Sequence, residues 1–353
     1  MKKNLIAAAL VAAAGGGAAA QSSLTLFGTV DATLAVGHGS VSNKVQLANS
    51  GYSSSAIGFR GVEDLGGGMS ASFWLEAAVN NDNGTGSATN TNNQASGGAP
   101  SGAAGGQGLT FNRRSTISLS GRWGELRLGR DYTAHYWNHV IFDPFGNKGV
   151  GTSQAIGSSL AGLTGVRASN VVGYFLPALG GVYGQYQHFL SENASGSAAS
   201  NDGNGDALRL GYESGALNIA IAAARVKYAA GDIATSNVGG AYNFGVAKLS
   251  AVYDRDHVDR GAAGRGWLVG AEVPSGAGTV RASYSTYKTD ALAAPASTKL
   301  ALGYVYHLSK RTTVYAAAAR VNNKGSAAVS LNGSVTAAGQ RSSGFDLGIA
   351  HRF

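Results

Sequence analysis

The chain has 353 residues, no cysteine, and 27 basic against 19 acidic side chains, which gives a formal charge of +8. Glycine is about twice as frequent as usual and charged residues about half as frequent. The lack of cysteine excludes a disulfide framework, and the dispersed basic residues disfavour nucleic-acid binding. No apolar run of about eighteen residues follows the N-terminal segment, which excludes membrane-spanning helices.

The N-terminus has the pattern of a secretory signal peptide. Two lysines lie within the first three residues, residues 5–14 are apolar, and three alanines precede Gln21 as at a cleavage site. The alternative, a buried N-terminal helix, is disfavoured because three consecutive glycines at residues 15–17 would break it. We therefore predict a cleaved signal peptide at residues 1–20 and a mature chain of residues 21–353.

Alternation of apolar and polar residues then begins and continues along the mature chain. In the first segment Leu24, Leu26, Val30, Ala32, Leu34 and Val36 share one face, and Thr25, Thr29, Asp31 and Thr33 share the other. Such segments run for about nine to fourteen residues, longer than most globular strands and suited to tilted strands that cross a bilayer. A transmembrane strand looks only weakly hydrophobic because its lumen-facing and lipid-facing residues alternate.

About sixteen such segments follow one another. They start near Leu24, Tyr52, Met69, Phe111, Gly124, Ala168, Gly180, Asp206, Leu217, Ala234, Ala247, Arg265, Gly278, Thr298, Thr312 and Ser343. Tight connections alternate with long ones, and the long ones include Asn80 to Thr110, Tyr132 to Arg167, Ser191 to Gly205 and Asn322 to Ser342. The sequence thus predicts an all-β fold, a 16-stranded antiparallel transmembrane β-barrel with short periplasmic turns and long extracellular loops.

The chain ends on an alternating strand, "GFDLGIAHRF", from Gly344 to Phe353. In hydrocarbon every backbone donor and acceptor must be paired, so the last strand has to close onto the first. We therefore expect Leu24 to Val36 to pair with this strand. The aromatic ring of Phe353 is expected at a membrane interface.

Six blocks of sequence carry a resemblance to a known family. They are "SLTLFGTVDATL", "GFRGVEDLGGGMSASFWLE", "FNRRSTISLSGRWGELRLGRD", "AYNFGVAKLS", "ALGYVYHLSKRTTVYAAAARVNN" and the closing "HRF". This pattern resembles the general porins of Gram-negative bacteria, particularly the beta-proteobacterial branch. The resemblance implies a homotrimer of barrels in the outer membrane, in contact with outer-membrane lipid and lipopolysaccharide. It implies a pore that is narrowed by an inward-folded third loop, and it implies no cofactor.

The third long connection, about residues 132–167, is the expected constriction loop. It is too long for an ordinary connection, and its aromatic stretch "HYWNHVIFDPFG" disfavours disorder. The tip Asp143-Pro144-Phe145-Gly146 resembles the acidic-aromatic-glycine tip by which porin loops fold against the barrel wall.

In the resembling family, basic wall residues at the constriction oppose a few acids on the loop. Carried across by motif, Arg113 and Arg114 of "FNRRST" and Arg167 of "VRASN" match lining positions of anion-preferring members. If Ile117 and Leu119 face lipid, parity turns Arg114 inward, and Arg113 faces inward only if the strand mouth is bulged.

Three further residues complete the predicted constriction. Arg60 of "GFRG" faces inward by parity, Glu76 matches a wall carboxylate and Asp143 a loop carboxylate. At one position this chain departs from the family pattern, because Ala56 stands where members often have arginine. A ring with one cation fewer predicts weak to moderate anion preference. For any single arginine, the alternative is a solvated wall residue that keeps the lumen wet.

The predicted function is a passive, water-filled diffusion channel for small hydrophilic solutes and ions, with small anions favoured. The sequence has no phosphate-binding loop, no zinc-protease motif and no nucleophile elbow, so we do not expect an enzyme. His135 and His139 share a spacing that suits a metal but lack a third ligand. A barrel enzyme and an adhesive surface protein remain the alternatives, and neither predicts ion conductance in a planar bilayer.

Overall fold

The computed structural model describes residues 23–97 and 108–353. The predicted signal peptide lies outside the described residues. The strands are β1 (Ser23–His38), β2 (Lys44–Asn49), β3 (Ala56–Gly66), β4 (Met69–Asn80), β5 (Thr85–Gly86), β6 (Arg114–Gly121), β7 (Gly124–Tyr132), β8 (Arg167–Phe175), β9 (Val182–Phe189), β10 (Gly205–Ser214), β11 (Leu217–Val226), β12 (Ile233–Asn243), β13 (Lys248–Val258), β14 (Ala263–Ser275), β15 (Gly278–Thr289), β16 (Ala296–His307), β17 (Thr312–Lys324) and β18 (Arg341–Arg352).

Two short α-helices, α1 (Tyr136–Ile141) and α2 (Gln154–Gly157), lie in the connection between β7 and β8. Single 3-10 turns cover Ala95–Gly97, Gly149–Gly151 and Gly162–Thr164. Over residues 23–97 and 108–353, none of the helices has the length and apolar character needed to traverse a bilayer.

The strands form one antiparallel sheet that closes on itself. Thr29 to His38 of β1 pair with β18, and Ser23 to Thr29 of the same strand pair with β3. The short strands β2 and β5 extend two of the connections, so sixteen strands build the barrel. The last ladder runs to the end of the chain, because Phe353 N donates to Gly28 O at 3.0 Å and Gly28 N donates to Phe353 O at 3.1 Å. The predicted 16-stranded antiparallel barrel is confirmed.

Each barrel strand turns polar or small residues inward and apolar residues outward. On β1, Asp31 and Thr33 are buried in the lumen, whereas the outward Leu34 is 44% exposed. Outward aromatic rings gather near both ends of the barrel. Trp123 stacks on Tyr174 at the end that carries the tight turns, and Trp267 contacts Tyr284 nearer the other end. Such paired aromatic girdles mark the two membrane interfaces of outer-membrane barrels.

The two ends of the barrel differ in their connections. At the turn end, the hairpins are tight, as between β3 and β4. At the opposite end, the loop end, residues 39–55, 81–113, 133–166, 190–204 and 325–340 form long connections. Three loop-end connections, residues 227–232, 259–262 and 290–295, are short, so the rim is low over β11–β16.

The connection between β7 and β8 folds into the lumen and packs on the far wall. Phe142 is fully buried against alanines and Val252 of β11–β13. Two wall glycines make room for the loop. A Cβ on Gly239 would lie 2.3 Å from the Phe142 ring, and one on Gly270 would lie 2.3 Å from Pro144. Glycine at these two positions therefore allows the loop to approach the wall closely.

Candidate functional site

Polar contacts fix the first half of the inward loop, residues 133–166, to the wall. Asn138 Nδ2 donates to Asn237 Oδ1 at 2.8 Å, and Arg209 Nε donates to Asn138 Oδ1 at 2.7 Å. His139 Nε2 lies 3.1 Å from Asp254 Oδ1. Because these groups are buried and hydrogen-bond to one another, they hold α1 against β10–β13.

The second half of the loop covers two further wall carboxylates. Leu160 N donates to Asp256 Oδ2 at 2.9 Å, and Val150 N donates to Asp346 Oδ2 at 2.7 Å. Gln154 Nε2 donates to Ser297 Oγ at 2.7 Å. The loop thus spans the inner face of β10–β18 and leaves the opposite wall, β1 and β3–β8, facing the open lumen.

Asp143 organises the tip of the loop. Its carboxylate accepts backbone N–H bonds from Phe145 at 2.9 Å, Asn147 at 3.2 Å and Ser153 at 3.3 Å. The side chain is 5% exposed, and burial raises the pKa of Asp143 to about 6. The predicted loop carboxylate therefore lines the cavity beside the loop tip, and its oxygens accept hydrogen bonds from the backbone of its own loop.

The open wall carries a cluster in which two arginines share one acceptor. Arg113 Nη2 donates to Tyr132 Oη at 2.6 Å, and Arg167 Nη2 donates to the same oxygen at 2.7 Å. Arg113 also forms an ion pair with Glu76, and Arg167 Nε donates to the Arg113 carbonyl at 3.0 Å. Tyr132 stacks on Tyr136 of the loop, with ring centroids 5.5 Å apart. Glu76, Arg113 and Arg167 are thus brought together as one group.

Arg113 and Arg114 both lie inside the barrel. Arg114 is the first residue of β6, and its guanidinium lies 3.7 Å from Asp131. Arg113 precedes the strand and its N–H donates to the Glu76 carbonyl at 3.1 Å, so strand parity does not fix its side chain. The parity argument turned Arg114 inward and allowed Arg113 to face inward only with a bulge, because it extended the strand to Arg113, one residue beyond its observed start.

Arg60 lies beside the cluster rather than in it. Its guanidinium carbon is 5.2 Å from the Trp74 ring centroid, and that of Arg114 is 4.7 Å from the same centroid. Trp74 Nε1 donates to Glu76 Oε2 at 3.0 Å. Arg60 therefore extends the basic wall toward the turn end, with Trp74 between it and the arginine pair.

Sequence reasoning missed Lys148, the cation that the loop contributes. It follows the loop tip and lines the same cavity as Arg113. This cavity has a volume of about 520 Å³. Burial, together with the charges of Arg113 and Arg167, lowers the pKa of Lys148 to about 8. Ala56 lines this cavity as well. No periodicity marks a loop lysine, so only the folded path of the loop reveals it.

Sequence reasoning also missed the arginines that back the cluster. Arg127 Nη1 donates to Asp131 Oδ2 at 2.6 Å, and Arg130 Nη1 donates to Ser169 Oγ at 2.8 Å. Both belong to the block "GRWGELRLGRD" that carried the resemblance, so the motif contained them although no role was assigned.

The two loop histidines do not form a metal site with other residues. His135 is buried, which lowers its pKa to about 3, and His139 contacts Asp254. Throughout the part of the chain that the structure describes, no three His, Cys, Asp or Glu side chains come together as metal ligands. The pair belongs to the packing of the loop on the wall.

Known proteins that are similar to this chain are found by sequence and by structure. A family profile described as Gram-negative porin matches residues 7–326. Outer membrane porin protein 32 of Delftia acidovorans is 35% identical over the whole of both chains. An outer membrane porin protein of Bordetella pertussis is 30% identical over 90% of this chain and 93% of its own. An anion-selective porin from Comamonas acidovorans superposes with a TM-score of 0.82 at 32% identity, covering 94% of this chain and 100% of its own.

Proposed function

We propose, from the premise that this chain belongs to the Gram-negative porin family, that its outer-membrane channel favours small anions because of the Arg113–Arg167 pair. Transport is passive, through a water-filled lumen, and no energy source is coupled to it. The similarity to an anion-selective porin supports this preference.

One observation carries the proposal: the guanidinium groups of Arg113 and Arg167 meet on the Tyr132 hydroxyl. Glu76 pairs with Arg113, and Arg167 forms no ion pair with a carboxylate of residues 23–97 or 108–353. Lys148 adds a further cation from the loop side of the same cavity. The walls around a narrow water-filled gap have a low dielectric constant, so the fields of these charges add up across it.

The chemistry of passage follows from these donors. A small anion that enters the gap exchanges part of its hydration shell for N–H donors of Arg113, Arg167 and Lys148. A cation meets repulsion from the same groups. Because Ala56 stands where family members often have arginine, the wall has one cation fewer, and Lys148 adds positive charge from the opposite side. Arg60 and Arg114 extend the field toward the turn end, while Glu76 and Asp143 limit it, so the preference is weak to moderate.

We further propose that three copies of the chain form a homotrimer, as the family resemblance implies. Chemical cross-linking of the protein in native outer membranes tests this. A ladder that ends at three copies is expected, and a ladder that ends at one or two copies would contradict it.

The anion preference is tested by the reversal potential of the purified protein in a planar bilayer under a KCl gradient. Wild type is expected to show stepwise conductance and a chloride-favouring potential. Arg167→Gln and Arg113→Gln should lower the chloride-to-potassium permeability ratio by up to about fivefold each, the effect of one charge a few ångströms away in water. Arg320→Gln is the matched control, because Arg320 faces outward on β17.

Two results would count against the proposal, each against a different part of it. A potassium-favouring potential in wild type would reject the arginine assignment and leave the channel intact. Folded protein that shows no conductance would reject the channel itself and favour an adhesive surface role.

A further inference from the structure

Three cations stand side by side on the outer surface of the barrel near the loop end. Arg255 of β13 is the direct register partner of Arg265 of β14, and Arg265 is the direct partner of Lys288 of β15. All three are exposed and alternate with inward, buried neighbours, so their side chains leave the wall on the lipid side. We call Arg255, Arg265 and Lys288 the cation row.

The three side chains of the cation row lack ion-pair partners in the part of the chain that the structure describes. None of its members forms an ion pair, a side-chain hydrogen bond or a ring contact with any residue in 23–97 or 108–353. Arg225, on the same rim, shows the contrast, because it pairs with Asp232 and Asp259 at 2.9 Å each. Like charges directly opposite on neighbouring strands destabilise a sheet. An anion from outside would remove that penalty.

The height of the cation row matches the headgroup layer of a membrane. Tyr253 lies two residues below Arg255, and Trp267 lies two residues below Arg265, both outward and both part of the aromatic girdle at the loop end. Aromatic girdles lie at the membrane interface, so the row begins just beyond it. The connections above the row, residues 259–262 and 290–295, are short and leave it uncovered.

Two hollows adjoin the cation row. An open hollow of about 810 Å³ is lined by all three cations over a floor of small residues such as Ala234 and Ser236. Its upper edge carries His257, paired with Asp259, and Asp290, whose carboxylate accepts the Ala263 N–H at 2.7 Å. A second groove of about 370 Å³ starts at Arg255 and continues over apolar outward side chains. The large apolar side chains in its lining are Leu208, Leu210, Ile221, Val238 and Tyr253.

We propose that the cation row binds the phosphate groups of a phosphorylated lipid of the outer leaflet, with lipopolysaccharide as the occupant. The open hollow holds the sugar-phosphate headgroup against the three cations, and the apolar groove takes the upper part of an acyl chain. The adjoining groove favours a lipid over free phosphate, since inorganic phosphate has nothing to place there. The site lies outside the channel, so it is independent of the anion preference proposed above.

Native mass spectrometry of the detergent-purified protein with bisphosphorylated lipid A tests the site. Each Lys or Arg near an anionic lipid surface contributes about fivefold in affinity. The triple variant Arg255→Gln/Arg265→Gln/Lys288→Gln should therefore bind about a hundredfold more weakly than wild type. Arg225→Gln is the matched control, because its charge is already neutralised by Asp232 and Asp259, and it should bind as wild type does.

Three results would overturn the proposal. They are equal lipid A binding by wild type and the triple variant, equal binding of lipid A and its dephosphorylated form by wild type, and displacement of lipid A by an equimolar amount of inorganic phosphate. Single-channel conductance of the triple variant should equal that of wild type, which shows that the barrel is folded. That measurement also keeps this test separate from the channel proposal.

Discussion

Lys148 lines the cavity beside Arg113, and its pKa is lowered to a value near physiological pH. Arg113 and Arg167 lower its pKa and Asp143 and Glu76 raise it, while burial has the largest effect, and the result is about 8. The ammonium is charged below that pH and neutral above it. We expect the chloride-to-potassium permeability ratio of wild type to fall between pH 7 and pH 9, as measured by reversal potentials at fixed KCl gradients.

Two variants of Lys148 isolate its contribution. Lys148→Arg stays charged across this range and should keep the ratio constant, because a guanidinium does not lose its proton below pH 12. Lys148→Gln should start lower and stay flat. A pH-dependent fall that persists in Lys148→Gln would assign the titration to another group.

Asp143→Asn tests the carboxylate that organises the loop tip. An asparagine has one acceptor oxygen, and its amide nitrogen would face backbone N–H groups that now donate to the second carboxylate oxygen. Leaving such buried donors unsatisfied costs about 1–3 kcal/mol each. We expect noisier single-channel currents and faster proteolysis within residues 133–166, with the barrel intact. Quiet currents in Asp143→Asn would contradict this role.

For a single residue, the sequence predicts which side of the barrel wall the side chain faces only where the residue belongs to a strand. Parity places Asp31, Thr33 and Arg114 inside the barrel because alternation is a property of the ladder itself. It fails for Arg113, one residue before the ladder, and it says nothing about Lys148. The position of a loop side chain depends on contacts with residues about a hundred positions away in the chain, and such contacts leave no local pattern.

The inward loop and the far wall are fitted to each other through glycine. Gly239 faces the lumen beneath Phe142, and its neighbour Gly240 faces outward, where the nearest atom to an added Cβ is Ile219 Cγ2 at 3.2 Å. Gly239→Val should displace α1 and the tip into the open gap and lower the single-channel conductance. Gly240→Val adds the same volume on the other face and should leave the conductance unchanged. Equal conductance of the two variants would show that the loop is not held as described.

Strands and loops differ in how well they can be predicted. All sixteen barrel strands follow from alternation, because each must satisfy the same lipid and water faces. The short strands β2 and β5 do not, since they lie in connections, where β2 adds only Val45 and Leu47 to the outward face and β5 has two residues. The low rim over β11–β16 and the cation row arise from loop lengths and from register between strands. Sequence alone shows the three cations as isolated residues, because register brings them together.

Closure of the barrel depends on its last residue. Phe353 exchanges two backbone hydrogen bonds with Gly28, and its ring lies over that glycine, where a Cβ would be 2.4 Å from Phe353 Cζ. Deletion of Phe353 removes both bonds and the ring, and each lost bond costs about 0.5–1.5 kcal/mol. We expect a lower unfolding temperature in SDS, followed by the mobility shift of the heated protein.

Substitutions at the same position separate the ring from the backbone. Phe353→Ala keeps both hydrogen bonds and should give an intermediate unfolding temperature, and Phe353→Tyr should match wild type. If the deletion variant unfolds at the wild-type temperature, the terminal pairing does not contribute to closure.

The inner wall carries arginines on β6–β8 beside Asp131, and on the far side it carries the carboxylates of Asp254, Asp256 and Asp346 together with Arg209 and Lys299. The inward loop covers these three carboxylates, which are all buried. The ion preference therefore depends on which wall charges the loop leaves uncovered as well as on the residues of the wall itself. A shortened or rerouted loop would therefore expose these buried charges to the lumen and change the ion preference while every strand stays the same.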